Sequence, residues 1–318
     1  MHCFVTGCAG FIGSTLTERL LSQGHRVVGY DNLSTGREEF LRAAREQAGF
    51  HLVRADVLDA QTLTASMRDV ELVFHLAANA DVRFGTQHPR RDLEQNTIAT
   101  HNVLEAMRHN GVVRIAFASS GSVYGEAARV PTPEDAPFPV QTSLYGASKA
   151  AAEGLIAAYC TGFGFRSYIF RLVSILGERY THGHVLDFYR QLQNDPVRLR
   201  VLGNGRQRKS YLYVHDCVDA MLLALEHAHE PVNIFNIGAD SACEVNDSIG
   251  WICAALGVTP QIEYGGGERG WAGDNPLILL DITRMRALGW KPRLTIREAV
   301  LATLEYLKAN PRLVDASR

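Results

Sequence analysis

Thr6-Gly7-Cys8-Ala9-Gly10-Phe11-Ile12-Gly13 decides how this chain is read. The short run His2-Cys3-Phe4-Val5 leads straight into it, so a strand ends in glycines spaced GxxGxxG and then opens a helix. That order begins a dinucleotide-binding βαβ unit, although the spacing differs by one residue from the GxGxxG fingerprint. Each glycine removes a side chain where the chain turns tightly, approaches a pyrophosphate, or lets helix and strand close up. The helix opening at Phe11 and Ile12 offers unpaired N–H groups and a positive dipole end to phosphates.

Working outward, Asp31 ends the second expected strand, eighteen residues beyond Gly13. An acidic side chain there accepts hydrogen bonds from an adenosine ribose and repels a 2′-phosphate, which favours NAD over NADP. Arg37 is the counter-argument, since a loop arginine can receive that phosphate. Asn32 and Ser34 lie in the same loop and join the expected cofactor site. So do Asp56 and Val57 after the third strand and Leu76, Ala77 and Ala78 after the fourth, because ligands lie at strand C-terminal ends in such sheets. Asp56 has two equal readings, a contact to adenine or a cap on a helix beginning near Asp59.

The first half alternates short apolar runs with longer amphipathic stretches. Strands are expected at residues 3–6, 26–30, 51–54, 72–76, 114–118 and 167–171, with the longest helices at 93–108 and 145–160. The pattern predicts an α/β chain, a Rossmann-type doubly wound parallel sheet with a smaller C-terminal substrate domain. The cofactor domain is placed at 1–170 and the substrate domain at 171–318, with about 211–240 returning to the first. Turn-rich pieces such as Gly203-Asn204-Gly205 and Gly265-Gly266-Gly267 break up the second half. No proline- or serine-rich linker separates the halves, so they are expected to pack together.

Composition excludes several classes. A net charge of -2 without a basic stripe argues against nucleic-acid binding. Arg206, Arg208 and Lys209 form the densest basic knot, suited to one ligand diphosphate, with a solvated loop as the bland alternative. Six cysteines without a CxxC pair suggest no metal site, no redox motif and no disulfide framework. An immediate strand leaves no room for a signal segment, and no apolar stretch is long enough to span a bilayer. A cytoplasmic protein without membrane partners is expected.

Tyr145-Gly146-Ala147-Ser148-Lys149 sets a phenol and an ammonium one helical turn apart on one face. A nearby ammonium would pull the phenol pKa down toward the range where it exchanges protons with a hydroxyl. The bland alternative is an amphipathic helix with a snorkelling lysine. Against it stands Ala118-Ser119-Ser120-Gly121-Ser122-Val123-Tyr124-Gly125, which puts hydroxyls at the end of the fifth strand.

The glycine triplet, Asp31, the serine cluster, Tyr145 and Lys149 together resemble the extended short-chain dehydrogenases/reductases, in their NAD-dependent epimerase/dehydratase branch. The similarity runs from Met1 to about Leu307, and its motifs are far more specific to the superfamily than to a substrate. It implies NAD as cofactor, a nucleotide sugar as substrate, and a cycle in which Tyr145 takes a hydroxyl proton while the hydride leaves for NAD. It also implies that Lys149 holds the nicotinamide ribose, that Ser120 orients the reacting oxygen, and that Ser119 lies beside the cofactor. Asn96 resembles a supporting asparagine, with a helix-surface polar residue as the rival reading. A homodimer through helices 93–108 and 145–160 is implied as well.

Dehydratases of this branch carry an Asp-Glu pair after the catalytic hydroxyl residue, where this chain has Gly121 and Ser122, and neither can shuttle a proton for elimination. Decarboxylases of the branch likewise have a glutamate where Ser122 stands. Epimerisation at C4 of a UDP-hexose remains as the expected reaction, with a UDP-glucuronate or UDP-N-acetylhexosamine epimerase as the alternative. A one-way dehydrogenase/reductase and a non-catalytic cofactor-binding regulator are further rivals. Expected substrate contacts are Ser120, Ser122, Tyr145, Ser174, Lys209, Tyr211, Arg269 and Asp274. Three depart from the usual pattern: Ser174 replaces an asparagine, Lys209 precedes the aromatic Tyr211 without an arginine's fork, and Arg269 is shifted. Trp271 is read as core packing.

Overall fold

The computed structural model describes residues 1–79, 84–137, 140–271 and 273–315. Its centre is a seven-stranded sheet. In chain order the strands begin with β1 (His2–Thr6), β2 (Arg26–Tyr30), β3 (Phe50–Val53), β4 (Leu72–His75), β5 (Arg114–Ser120) and β6 (Arg166–Leu172). Shorter pieces follow, β7 (Ser174–Leu176), β8 (Arg198–Val201), β9 (Arg208–Lys209) and β10 (Tyr211–Tyr213), then β11 (Val232–Ile237), β12 (Cys243–Glu244), β13 (Gln261–Tyr264) and β14 (Leu277–Ile278). The large sheet runs β11-β6-β5-β4-β1-β2-β3, every neighbour parallel. The doubly wound class expected from the sequence is therefore the observed one. The order reverses between β1 and β4, so the crevice beyond their C-terminal ends is the topological switch point where ligands bind.

Residue alternation explains why the sheet is buried on both faces. Along β1, Cys3 and Val5 enter one core while Phe4 enters the other, and β4 and β5 divide in the same way. The first core is closed by Leu16 and Leu20 of helix Phe11–Ser22 together with Met221 and Ala224. The second is closed by Val103, Met107 and Ile156. A third core, built around Leu176, Val185, Leu199, Ile252 and Leu304, belongs to the C-terminal half.

The six expected strands all form, with ends displaced by a residue or two. β5 is the useful exception, extending through Ser119 and Ser120, which pair with Arg171 and Leu172 of β6. The seventh strand, β11, comes from the 211–240 segment and pairs along its whole length with β6. The expected helix 93–108 starts earlier, at Pro89, and runs to Asn110 with a π-helical turn at Leu93–Ile98. Such a turn inserts a residue into the helical ladder and re-aims the side chains on it. The expected helix 145–160 is Leu144–Phe163, capped by the Ser143 hydroxyl accepting from Gly146 N at 3.0 Å and ended by left-handed Gly164.

The glycine loop is as tight as its composition requires. A Cβ on Gly13 would sit 2.0 Å from the Gly7 carbonyl oxygen. Gly13→Ala is expected to displace the loop, lowering stability by about 1–3 kcal/mol as for other overpacked sites and abolishing tight NAD retention. Thermal melts with and without NAD check both effects.

Candidate active site

At the first-turn end of helix Phe11–Ser22, the cap residue Gly10 supplies no side-chain acceptor, leaving the helix N–H groups free for an anion. Asp31 lies against this loop. Its Oδ2 accepts from Ala9 N at 2.9 Å and its Oδ1 from Leu33 N at 2.8 Å, and burial raises its pKa while these bonds oppose the rise. Asp31 thus secures the glycine loop. Arg37 is engaged by Glu39 at 3.5 Å, an exposed pairing that competes with any 2′-phosphate.

Asn32 Nδ2 donates to Asp56 Oδ2 at 2.7 Å, and Asn32 Oδ1 accepts from Ser34 N, so these three expected residues form one loop cluster. Asp56 does not cap the next helix. That helix is Ala60–Ser66 and its cap is Asp59, whose Oδ1 accepts from Thr62 N, while Asp56 accepts from Leu58 N in the turn before it. Val57 is buried beside this turn.

Across the switch point, Leu76 N and Ala77 N both donate to Thr6 Oγ1 at 3.1 Å, which places the segment through Ala78 over the end of β1. With its lone pairs so occupied, the Thr6 hydroxyl donates to Nδ1 of His75 at 2.8 Å. His75 Nε2–H then donates to Thr100 Oγ1 at 3.1 Å, and Thr100 donates to the Asn96 carbonyl. This tautomer is assigned from the network. His75 is fully buried, and burial followed by the Lys149 charge pushes its pKa down to about 3.

Asn96 is no surface residue. The π-helical turn buries it to 1% exposure, where its Oδ1 accepts from Asn79 N at 2.9 Å and its Nδ2 donates to Ser148 Oγ at 2.8 Å. Ser148 donates in turn to the Tyr145 carbonyl. Asn79 Nδ2 donates to the buried Asp92. The helix-surface reading of Asn96 is therefore corrected: one amide joins the cofactor side of the sheet to the tyrosine helix.

Tyr145, Lys149 and Ser120 are brought together. Tyr145 is 9% and Lys149 2% exposed. The tyrosine helix comes so close to the serine turn that a Cβ on Gly146 would lie 2.7 Å from the Ser122 carbonyl oxygen. Ser120 Oγ donates to Ser122 Oγ and accepts from Ser122 N, each at 3.1 Å. Ser119 donates to Glu153. Lys149 Nζ donates to the Ala118 carbonyl at 2.8 Å and lies 4.7 Å from the Phe117 ring centroid, so it is no snorkelling surface lysine.

The phenol is not lowered as its spacing from Lys149 suggests. Burial pushes Tyr145 up to about 12, opposed by the hydrogen bond with Ser120 and reinforced by Asp92. Burial likewise pulls Lys149 down to about 7 against the attraction of Glu153 and then Asp92. Desolvation disfavours both charged forms at once, and the ammonium is spent on a carbonyl rather than on the phenol.

The other expected substrate contacts lie in the C-terminal half. Ser174 is exposed and paired across a parallel ladder with Tyr211, which is buried against His184. The basic knot divides, because strand alternation buries Lys209 and exposes Arg208. Lys209 Nζ pairs with Asp274 Oδ1 at 2.6 Å and meets the Asn275 carbonyl, so its charge is already matched by protein groups. Trp271 is half-buried with its ring 5.8 Å from that ammonium, a cover for Lys209 rather than a core residue. Arg269 bonds the Asp274 carbonyl at 2.7 Å and pairs with Glu126 at 2.6 Å. Among the described residues no cluster of ligating side chains could hold a metal ion.

Residues that the sequence reading passed over carry much of this arrangement: Thr6, His75, Asn79, Asp92 and Glu153. Only Glu153 left a legible signal, four residues beyond Lys149 on the same helical face.

A doubly wound sheet with a tyrosine, a lysine and a serine gathered past its switch point defines the class of short-chain dehydrogenases/reductases. The chain belongs to the NAD dependent epimerase/dehydratase family, whose sequence model matches residues 3–238. It is 34% identical to a UDP-glucose 4-epimerase of Mycolicibacterium smegmatis over 97% of this chain and 99% of that protein. A Thermotoga maritima UDP-glucose 4-epimerase solved with UDP-glucose superimposes with a TM-score of 0.89 at 30% identity, covering 98% of this chain and 100% of that one. A Bacillus cereus UDP-glucuronic acid 4-epimerase solved with UDP-glucuronic acid and NAD gives a TM-score of 0.88 at 26% identity, covering 97% and 99%.

His75 makes the fold acid-sensitive in a definite window. The unfolded residue takes up a proton near its ordinary 6.5 and the folded one only near 3. Its contribution is therefore complete above 6.5 and is lost as pH falls toward 3. Melting midpoints recorded from pH 7.5 to 4.5 should decline below 6.5, and His75→Gln should flatten that decline by roughly one proton's worth of slope.

Proposed function

We propose that this chain is an NAD-dependent nucleotide-sugar epimerase that inverts C4 of a UDP-hexose, interconverting UDP-glucose and UDP-galactose. The observation that carries the reading is Tyr145 and Ser120 meeting past the switch point with Lys149 buried beside them, and no carboxylate at 121 or 122. The residues present fit the cofactor: an uncapped helix N-terminus, a loop that a Cβ at Gly13 would fill, and Asp31 at the end of β2. When bound, NAD supplies a reversible hydride acceptor.

The remaining chemistry falls to the chain's own groups. The Tyr145 oxygen takes the proton of the sugar hydroxyl and returns it after the keto sugar has turned over in the site. Ser120, already bonded to the phenol, aligns the reacting oxygen and relays its proton. Lys149 holds the nicotinamide ribose from its place against the Ala118 carbonyl. Gly7, Gly10, Phe11, Ile12 and Gly13 cradle the pyrophosphate, and Asp31, Asn32 and Ser34 the adenosine ribose, with Asp56 and Val57 flanking the adenine. Ser122 and Ser174 line the sugar, and Tyr211, Lys209, Arg269 and Asp274 the nucleotide. Residues 1–170 with about 211–240 form the cofactor half and the remainder the substrate half.

Similarity to UDP-glucuronate epimerases and the small hydroxyl of Ser174 support a uronate as the second reading. We place the protein in the cytoplasm as a homodimer. Among the described residues no helix is long and apolar enough to cross a membrane, the six cysteines are free, and Leu93, Ile98 and Phe163 expose apolar surface on the two helices expected to pair.

The purified protein should interconvert UDP-glucose and UDP-galactose without added reductant. A panel that turns over only UDP-glucuronate would move the assignment to the uronate, and net NADH production would make it a dehydrogenase. Tyr145→Phe should lower kcat by about 10²-fold or more while retaining NAD. Light scattering should give the mass of a dimer, and Leu93→Glu should halve it.

A further inference from the structure

We infer that Glu153, clamped by Arg171 one helical turn from Lys149, is a positioning residue whose charge supports the Lys149 ammonium. The inference rests on the reading that Lys149 serves the cofactor.

Helix Leu144–Phe163 lays one face against the end of β5, with Tyr145, Lys149 and Glu153 following one another at four-residue intervals. Each meets one of three consecutive strand residues. Tyr145 meets the Ser120 side chain, Lys149 donates to the Ala118 carbonyl at 2.8 Å, and Glu153 accepts from the Ser119 hydroxyl. The carboxylate is therefore built into the same seam as the two groups that do the chemistry.

A carboxylate this deep needs a partner, and Arg171 of β6 supplies a fork. Its Nε lies 3.1 and 3.2 Å from the two oxygens of Glu153 and its Nη2 lies 2.7 Å from Oε2, with both side chains nearly buried. Arg171 is fixed in turn. Nη1 donates to Tyr124 Oη at 2.8 Å and to the Glu134 carbonyl at 2.9 Å, and the guanidinium lies 4.7 Å from the Tyr124 ring centroid. Tyr124 donates to Asn236 of β11 at 2.7 Å. Stability alone does not call for this apparatus, since an apolar pair of the same shape often serves a fold as well as a buried ion pair. The placement one turn beyond Lys149 gives it a purpose.

The charged and titratable groups around Lys149 come from three elements. Glu153 and Tyr145 share its helix, Asp92 lies on the helix beginning at Pro89, and neutral His75 ends β4. Burial works against the ammonium, and Glu153, ahead of Asp92, is the foremost attraction that retains its proton. Loss of the Glu153 charge therefore leaves Lys149 neutral at lower pH.

The test titrates Lys149 directly by ¹⁵Nζ NMR of lysine-labelled protein, with Lys149→Met assigning the resonance. Glu153→Gln/Arg171→Met removes both charges together, so no unpaired buried ion remains. In that variant the Lys149 titration should move down by about one pH unit. The alkaline limb of kcat should move with it, and KM for the nucleotide sugar should stay within about twofold. A folded double variant whose Lys149 titrates as in the wild type overturns the inference. If that variant does not fold, Glu153→Asp, which keeps the charge, is compared with Glu153→Gln, which keeps the shape; identical titrations overturn it, and a lower one in Glu153→Gln alone supports it. The NMR titration needs no turnover. A wild-type protein that epimerises nothing while the variant titration still moves would remove the proposed function and leave this inference standing.

Discussion

The site depends on one helix face being docked, dry, against the end of one strand. Tyr145, Lys149 and Glu153 descend helix Leu144–Phe163 at single-turn intervals, and Ser120, Ala118 and Ser119 of β5 receive them. Exclusion of water has two effects there. It strengthens each polar contact across the seam, and it raises the penalty for any group left charged without a partner. The high phenol pKa and the low ammonium pKa are two faces of that exclusion. The seam therefore holds Tyr145 and Lys149 close to neutrality, so small changes in local charge can move them.

Around that seam, two networks connect parts of the chain far apart in sequence. On the cofactor side, Thr6, His75, Thr100 and Asn96 form a buried run of hydrogen bonds from the glycine strand to the π-helical turn, and Asn96 passes it on through Ser148 to the Tyr145 carbonyl. On the substrate side, the segment around Asp274 holds Lys209 and, through Asn275 and Arg269, reaches Gly125 and Glu126 just beyond the serine turn. The helix carrying the phenol is therefore braced both from the dinucleotide crevice and from the second half of the chain.

Much of this was legible before any coordinates. Parallel strands buried on both faces read as apolar runs, and glycines cannot be replaced where Gly13 meets Gly7, so sheet and loop announce themselves in composition. Spacing alone set Tyr145 and Lys149 on one face. The same reasoning left Asn96 open between a supporting and a surface role, because a π-helical turn departs from the regular period that assigns residues to faces, and it grouped Arg206, Arg208 and Lys209, although a strand sends neighbours to opposite sides. Of the two readings it left open for Asp56, the helix cap belongs to Asp59 instead.

By itself the sequence determined the periodic and local properties: the order of strands and helices, the dinucleotide turn, and the hydroxyl, phenol and ammonium with their spacing. These follow from short-range sterics and side-chain chemistry, which act between residues near in the chain. Only the tertiary structure decided their ionisation and their partners. Whether Lys149 meets the phenol or the Ala118 carbonyl, whether Asn96 is wet or buried, and which cation answers Glu153 depend on residues brought together from distant elements and on how much water is driven out between them.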